Sequence, residues 1–217
     1  MAPTDTFTIT ANPGTDIWRK PPTTDVFNAP TALPPPGPHP LRASGPLSAF
    51  LSARLSFTFT PQEQYDQGGI LLSFRRRPNS PSSDAPPPQW IKSGVEFYNG
   101  LPRLSTVACE RWADWSVADL DSSPSSSSKG GKGVETGWTT ILVEKDRDGN
   151  GTSLWVYRVV EETGEKVPLR EICWVFADRG EEEDWVVEVH AMAARPEKAV
   201  EGGLEVEFRG LDVKWAE

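Results

Sequence analysis

The chain has 217 residues, a length that suits one large β-sandwich or between one and two domains of average size. Its 22 Lys and Arg stand against 31 Asp and Glu for a net charge of -9, and 37% of its residues are hydrophobic. That balance repels phosphate backbones and anionic leaflets while supplying a real core, so nucleic acid, membrane surfaces and global disorder are all disfavoured.

Residues 1–9 (MAPTDTFTI) hold no basic segment followed by an apolar one, and the expected location is intracellular, in the cytoplasm. From there, apolar and polar residues alternate with period two in runs such as 55–60, 154–157 and 204–208, and further strand candidates bounded by turn signals lie at 7–10, 69–74, 90–98, 103–109, 138–144, 172–177 and 185–192. Each stretch predicts a strand, and the lack of a long helical pattern predicts an all-β sandwich of two sheets. A short helical turn near residues 195–200 is the one exception. Asn99-Gly100, between 90–98 and 103–109, predicts a tight hairpin because both residues accept a positive φ. Asp146, Asp148 and Asn150 superficially resemble a calcium loop, but the glycine falls late and the closing Glu is missing, so a hairpin turn is expected. Three tracts rich in Pro, Ser and Gly, at 33–46, 78–89 and 119–133, predict solvated loops inserted into a single domain spanning 1–217. Cys109 and Cys173 lie too far apart in sequence for a disulfide scaffold and are expected to be free, buried thiols.

Several runs resemble one family: Gln67-Gly68-Gly69-Ile70-Leu71-Leu72, then Trp90-Ile91-Lys92-Ser93-Gly94-Val95-Glu96-Phe97-Tyr98-Asn99-Gly100, then Leu104-Ser105-Thr106-Val107 and Asp114-Trp115-Ser116. They are similar to the regulation-of-enolase proteins, and Phe27-Asn28-Ala29-Pro30-Thr31 resembles the fungal branch. The resemblance implies a concanavalin A-like jelly roll, a domain of unknown function, and a link to enolase and to growth on sugars. That link is genetic or one of expression and names no chemical mechanism; the candidate partners are a saccharide or sugar metabolite, since the fold is shared with sugar-binding lectins and glucanases, and a glycolytic enzyme. The long Pro and Ser tracts depart from the family pattern.

The strand at 90–98 divides into Ile91, Ser93, Val95 and Phe97, which read as core, and Trp90, Lys92, Gly94, Glu96 and Tyr98 on the other face. Rings to stack on and charges to orient a ligand suit a binding sheet face, and ordinary strand amphipathicity produces the same pattern. Nine tryptophans are more than core packing needs, and Trp18, Trp90, Trp112 and Trp115 lie near polar partners. The candidate ligand site on the concave face is therefore Tyr65, Gln67, Trp90, Lys92, Glu96, Asp114 and Trp115. A retaining glycosidase needs two carboxyls about 5–5.5 Å apart, and Glu96, Glu205 and Glu207 are the weak catalytic candidates, with Glu110 a looser partner for Glu96. Alternation with Leu204, Val206 and Phe208 equally makes Glu205 and Glu207 a solvated outer face. His39 and His190 read as structural rather than as lyase bases. No grouping has zinc-ligand spacing and Lys129-Gly130-Gly131-Lys132-Gly133 lacks the flanks of a phosphate loop, so neither metal nor cofactor is expected. Three readings stay open: a non-catalytic binding or regulatory protein of carbohydrate metabolism, a glycan hydrolase with a carboxylate pair, and a protein-interaction module.

Overall fold

A computed structural model describes residues 6–76, 85–120, 132–177 and 185–217. One sheet has six strands in the order β1 (Thr6–Ala11), β15 (Leu204–Trp215), β6 (Phe50–Phe59), β11 (Thr139–Asp148), β12 (Gly151–Val159) and β13 (Lys166–Ile172). The second has seven: β10 (Ala113–Asp119), β9 (Leu101–Cys109), β8 (Gln89–Tyr98), β7 (Gln67–Arg76), β14 (Trp185–Ala194) and β4 (Thr31–Ala32), with β5 (Ser44–Pro46) also paired to β14. All these pairs are antiparallel, and the two sheets form the all-β sandwich that the strand pattern predicts, the jelly roll that the resemblance implies.

Alternation explains the layering. Ile70, Leu72 and Phe74 of β7, Ile91 and Val95 of β8, and Val187, Val189 and Ala191 of β14 point inward against Phe57, Ile141, Val156 and Phe208 of the six-stranded sheet. The Asn99-Gly100 hairpin forms as expected: φ is 51° and 80° at the two residues, and Tyr98 faces Leu101 across it. Asp148 likewise closes a hairpin, its Oδ1 accepting the amides of Asn150 and Gly151 at 2.7 and 3.1 Å.

A small two-stranded sheet of β2 (Ile17–Lys20) and β3 (Thr24–Phe27) lies on the outer face of the seven-stranded sheet. Ile17 is fully buried there with Leu71, Trp90, Val107, Cys109 and Met192, a second core cluster distinct from the one between the sheets. Burial of Ile17 contributes about 1.5–3 kcal/mol toward holding the hairpin down.

Several expectations are corrected. Residues 173–177 form a turn rather than a strand, and the strand that pairs with β12 is β13, immediately before it. Trp174, Val175 and Phe176 pack against the core from that turn, which explains why their sequence imitates a strand. Residues 195–200 hold no helix, and the one helical turn among the described residues is a 3-10 turn at Leu47–Ala49. The tract 33–46 is not wholly a solvated loop, because its last three residues are β5. Within 78–89, residues 78–84 lie outside the described residues, while the carbonyls of Pro87 and Pro88 accept the Arg19 guanidinium at 3.2 and 2.8 Å. Within 119–133, residues 121–131 lie outside them, and the tract joins strands of different sheets. Cys109 is buried, but Cys173 is exposed because it belongs to the 173–177 turn.

Candidate functional site

The outer face of the seven-stranded sheet carries Gln67 of β7, Lys92 and Glu96 of β8, and Ser105 and Val107 of β9. Strand period two puts Lys92 and Glu96 on that side, and Gly94 between them leaves the sheet bare at its centre. Above this floor stands a cavity of about 690 Å³, within the roughly 300–1,000 Å³ typical of small-molecule sites. Its walls come from four segments: Trp18 and Lys20 of the β2–β3 hairpin, Gln64 and Tyr65 of the loop before β7, Trp115 of β10, and Pro196, Glu197 and Lys198 after β14.

Hydrogen bonds fix the floor. The Lys92 ammonium donates to Gln67 Oε1 at 2.7 Å and to Asp16 Oδ1 at 3.3 Å. Glu96 Oε2 accepts the Ser105 hydroxyl at 2.7 Å, and Ser105 in turn accepts the Trp115 indole N–H at 3.0 Å. Asp16 is held by Asn28, whose Oδ1 accepts the Asp16 amide at 2.8 Å and whose own amide donates back to the Asp16 carbonyl at 3.0 Å. Asn28 of the run Phe27-Asn28-Ala29-Pro30-Thr31 thus has a positioning role.

The rings form one continuous group. Trp115 meets Tyr98 edge-on at 4.9 Å, Tyr65 at 6.4 Å and Trp18 at 6.5 Å, while Tyr65 stacks on Tyr98 at 6.0 Å. Tyr65 has a φ of 68°, a left-handed conformation costing a non-glycine residue of order 1 kcal/mol or more. The adjacent Asp66 holds it in place. Asp66 is fully buried and receives the Arg195 guanidinium through two bonds of 3.0 and 2.8 Å, as well as the amides of Gln62 and Glu63. Arg195 also donates to the Gly202 carbonyl, so a single buried ion pair ties the Tyr65 wall to the Pro196 wall.

Loss of solvation raises the Glu96 carboxyl above its ordinary range; Lys92 and Ser105 oppose that rise, and Asp16 adds to it. The folded protein therefore keeps the Glu96 proton to a higher pH than the unfolded chain does. Its stabilising effect is complete below the unfolded carboxyl value of about 4.3 and is lost as pH rises through the folded value. Glu96→Gln is expected to gain stability relative to the parent as pH increases from about 4 toward neutrality, with urea midpoints of both proteins as the measure. A difference that does not change with pH would contradict this.

Of the seven ligand residues predicted, Tyr65, Lys92, Glu96 and Trp115 line the cavity, and Gln67 anchors Lys92 from beneath. Trp90 does not line it: the β2–β3 hairpin covers it, it is 0% exposed, and its indole N–H has no acceptor among the described residues. Asp114 is also outside, because its side chain is exposed and pairs with Arg170 at 2.5 Å. Trp112 sits at the β9–β10 turn beside Arg111, away from the cavity. Glu205 and Glu207 flank a separate depression of about 480 Å³ on the six-stranded sheet, with Thr8, Thr10 and Thr58. Packed sheets are about 10 Å apart, so neither can stand within 5–5.5 Å of Glu96 on the far face of the other sheet. Glu110 is exposed at the β9–β10 turn. His39 is exposed, and His190 lies outside the cavity, its imidazole lowered by burial. Trp18, singled out in the sequence with Trp115, is a wall of the cavity, whereas sequence reasoning missed Asp16, Lys20, Gln64 and the 196–198 segment, since no local pattern brings them to β8. Among the described residues, no three His, Cys, Asp or Glu side chains converge as a metal site would require.

Comparison with known proteins places this geometry in a wider group. The model of a family described as protein of unknown function (DUF1349) matches residues 2–215. An uncharacterized protein of Emericella nidulans, AN7484, is 38% identical over 208 residues, covering 96% of this chain and 86% of its own. Among solved structures, a functionally unknown protein from Saccharomyces cerevisiae is similar with a TM-score of 0.55 at 20% identity, covering 99% of this chain and 94% of that one. At that identity the likeness shows a shared fold.

Proposed function

We propose, from the premise that the chain belongs to the DUF1349 family, that it is a non-catalytic binding protein whose cavity on the seven-stranded sheet takes a saccharide or sugar metabolite. The observation that carries this reading is the meeting of Trp18, Tyr65 and Trp115 with the Lys92, Glu96 and Asp16 side chains around one 690 Å³ space. Rings stack on the C–H faces of a pyranose, and fixed charged groups bond its hydroxyls, so the two sets together recognise a polar ring that neither holds alone. The resemblance to regulation-of-enolase proteins supports an intracellular regulatory role in sugar metabolism, in which ligand binding is reported to a glycolytic enzyme.

A hydrolase is less well supported. The carboxylates nearest Glu96 in the cavity include Asp16, but Asp16 is already bonded to Lys92 and to the Ile17 amide, which leaves it a poor base.

The test is a fluorescence titration of the purified protein with mono- and oligosaccharides and central sugar metabolites. Trp18 and Trp115 border the cavity, so a saturable change is expected with at least one sugar, weakened about tenfold or more in Trp115→Ala. Trp112→Ala, outside the cavity, is the control and is expected to bind as the parent does. Silence across the panel would overturn the saccharide reading and turn attention to a protein partner.

A further inference from the structure

The charges around the cavity are balanced in number but unequal in commitment. Three carboxylates (Asp16, Glu96 and Glu197) and three ammonium groups (Lys20, Lys92 and Lys198) line it. Asp16 is bonded to Lys92 and to the Ile17 amide. Glu96 accepts the Ser105 hydroxyl. Glu197 turns back on its own chain, Oε1 accepting the amides of Lys198 and Ala199 at 2.9 and 3.0 Å. Lys92 is spent on Gln67 and Asp16. Lys20 and Lys198 remain, both exposed, and neither side chain has a hydrogen-bond or ion-pair partner among the described residues.

These two lysines stand on walls that are bonded together. Gly14 and Thr15, which lead into β2, donate their amides to the Arg195 carbonyl at 2.8 and 3.1 Å, and the Arg195 amide donates to Thr15 Oγ1 at 3.0 Å. The side chain of Lys198 passes over Gly14, where an added Cβ would stand 3.5 Å from its Cγ. Both ammonium groups thus border the same cavity on walls that are joined at Thr15 and Arg195, in a chain whose net charge of -9 would otherwise repel an anion.

We infer that the ligand is a sugar bearing a negative charge, as a phosphate monoester or a carboxylate, whose ring lies against Trp18 and Trp115 and whose anion is received by Lys20 and Lys198. The inference rests on the saccharide reading above and names the chemical class that reading leaves open. Lysine ammonium groups bind either anion as point charges, so the two sources share one recognition chemistry and are separated only by trial.

The experiment titrates the protein, at low salt, with glucose, galactose and mannose, with their 6-phosphates, with the corresponding uronates, and with inorganic phosphate alone. The expected result is an anionic form bound about tenfold or more tightly than its neutral parent, the advantage shrinking as salt is added. In the Lys20→Ala/Lys198→Ala double variant the advantage of the anionic form over its neutral parent is expected to vanish. The phosphate and uronate series show which anion is preferred. Equal or tighter binding of the neutral sugar overturns the inference and leaves the saccharide reading standing. Inorganic phosphate that binds as tightly as the sugar phosphate also overturns it, reducing the rim to a simple anion site. Absence of binding by every sugar overturns both.

Discussion

Asp66→Ala is expected to cost the fold about 3–5 kcal/mol, read as a lower urea midpoint with an unchanged denaturant slope. The Asp66 side chain is 0% exposed and that of Arg195 4%, so removing the carboxylate leaves a guanidinium in the interior with, among the described residues, only the Gly202 carbonyl as a partner. The amides of Gln62 and Glu63 lose their acceptor at the same time. A typical domain has only about 5–15 kcal/mol of net stability, so this loss removes a large share of it. Arg195→Met in the Asp66→Ala background should recover part of the loss, because it removes the stranded charge; a double variant as unstable as the sum of the singles would show that the charges do not interact. The damage should also reach the cavity. The pair holds both Tyr65, at its unfavourable φ, and the segment bearing Lys198, so sugar affinity should fall even where the variant is still folded.

The readable parts of this chain are those where local physics and long-range packing coincide. β8 and β9 are rich in strand-forming residues, flank an Asn-Gly turn and are buried over most of their length, and their extent and pairing follow from sequence to within two residues at each end. β10 is an edge strand whose residues are mostly exposed, so burial leaves no alternation to read, and the sequence signals only the isolated run Asp114-Trp115-Ser116. β2 and β3 are four residues each, too short for a periodicity argument, although they decide that Trp90 is buried and that Trp18 is available. The candidate site divides along the same line. Lys92 and Glu96 were legible because they share a strand face, whereas Asp16 reaches Lys92 across 76 residues and Arg195 reaches Asp66 across 129. Ion pairs of that span depend on the topology of the sheets, and nothing in the composition around Asp16 or Arg195 distinguishes them from ordinary surface charges.

The second large effect is expected from Gly94→Ala. An ideal Cβ at Gly94 would lie 2.0 Å from the Gly68 carbonyl oxygen and 2.7 Å from the Gly69 Cα, and one at Gly69 would lie 2.2 Å from the Ser93 carbonyl oxygen. Both obstructions are backbone, so no rotamer change relieves them and the β7–β8 ladder must open where Gly69 faces Gly94. Overpacking of this kind costs about 1–3 kcal/mol, and more where the obstacle cannot move. The consequence for function should exceed the consequence for stability. Gly94 lies between Lys92 and Glu96, and a displaced β8 moves both relative to Asp16, Gln67 and Ser105, breaking the bonds that fix the cavity floor. Gly149→Ala is the matched control: its Cβ meets nothing within 4 Å and its φ is not in the left-handed region, so it should be neutral or stabilise by up to about 1 kcal/mol through the unfolded chain. Urea unfolding and sugar titration of the two variants side by side should show Gly94→Ala destabilised and at least tenfold weaker in binding, with Gly149→Ala no less stable than the parent and unchanged in binding. Binding at parental affinity in a folded Gly94→Ala protein would mean that Lys92 and Glu96 do not form the floor of the site, and would move the saccharide away from this face of the sheet.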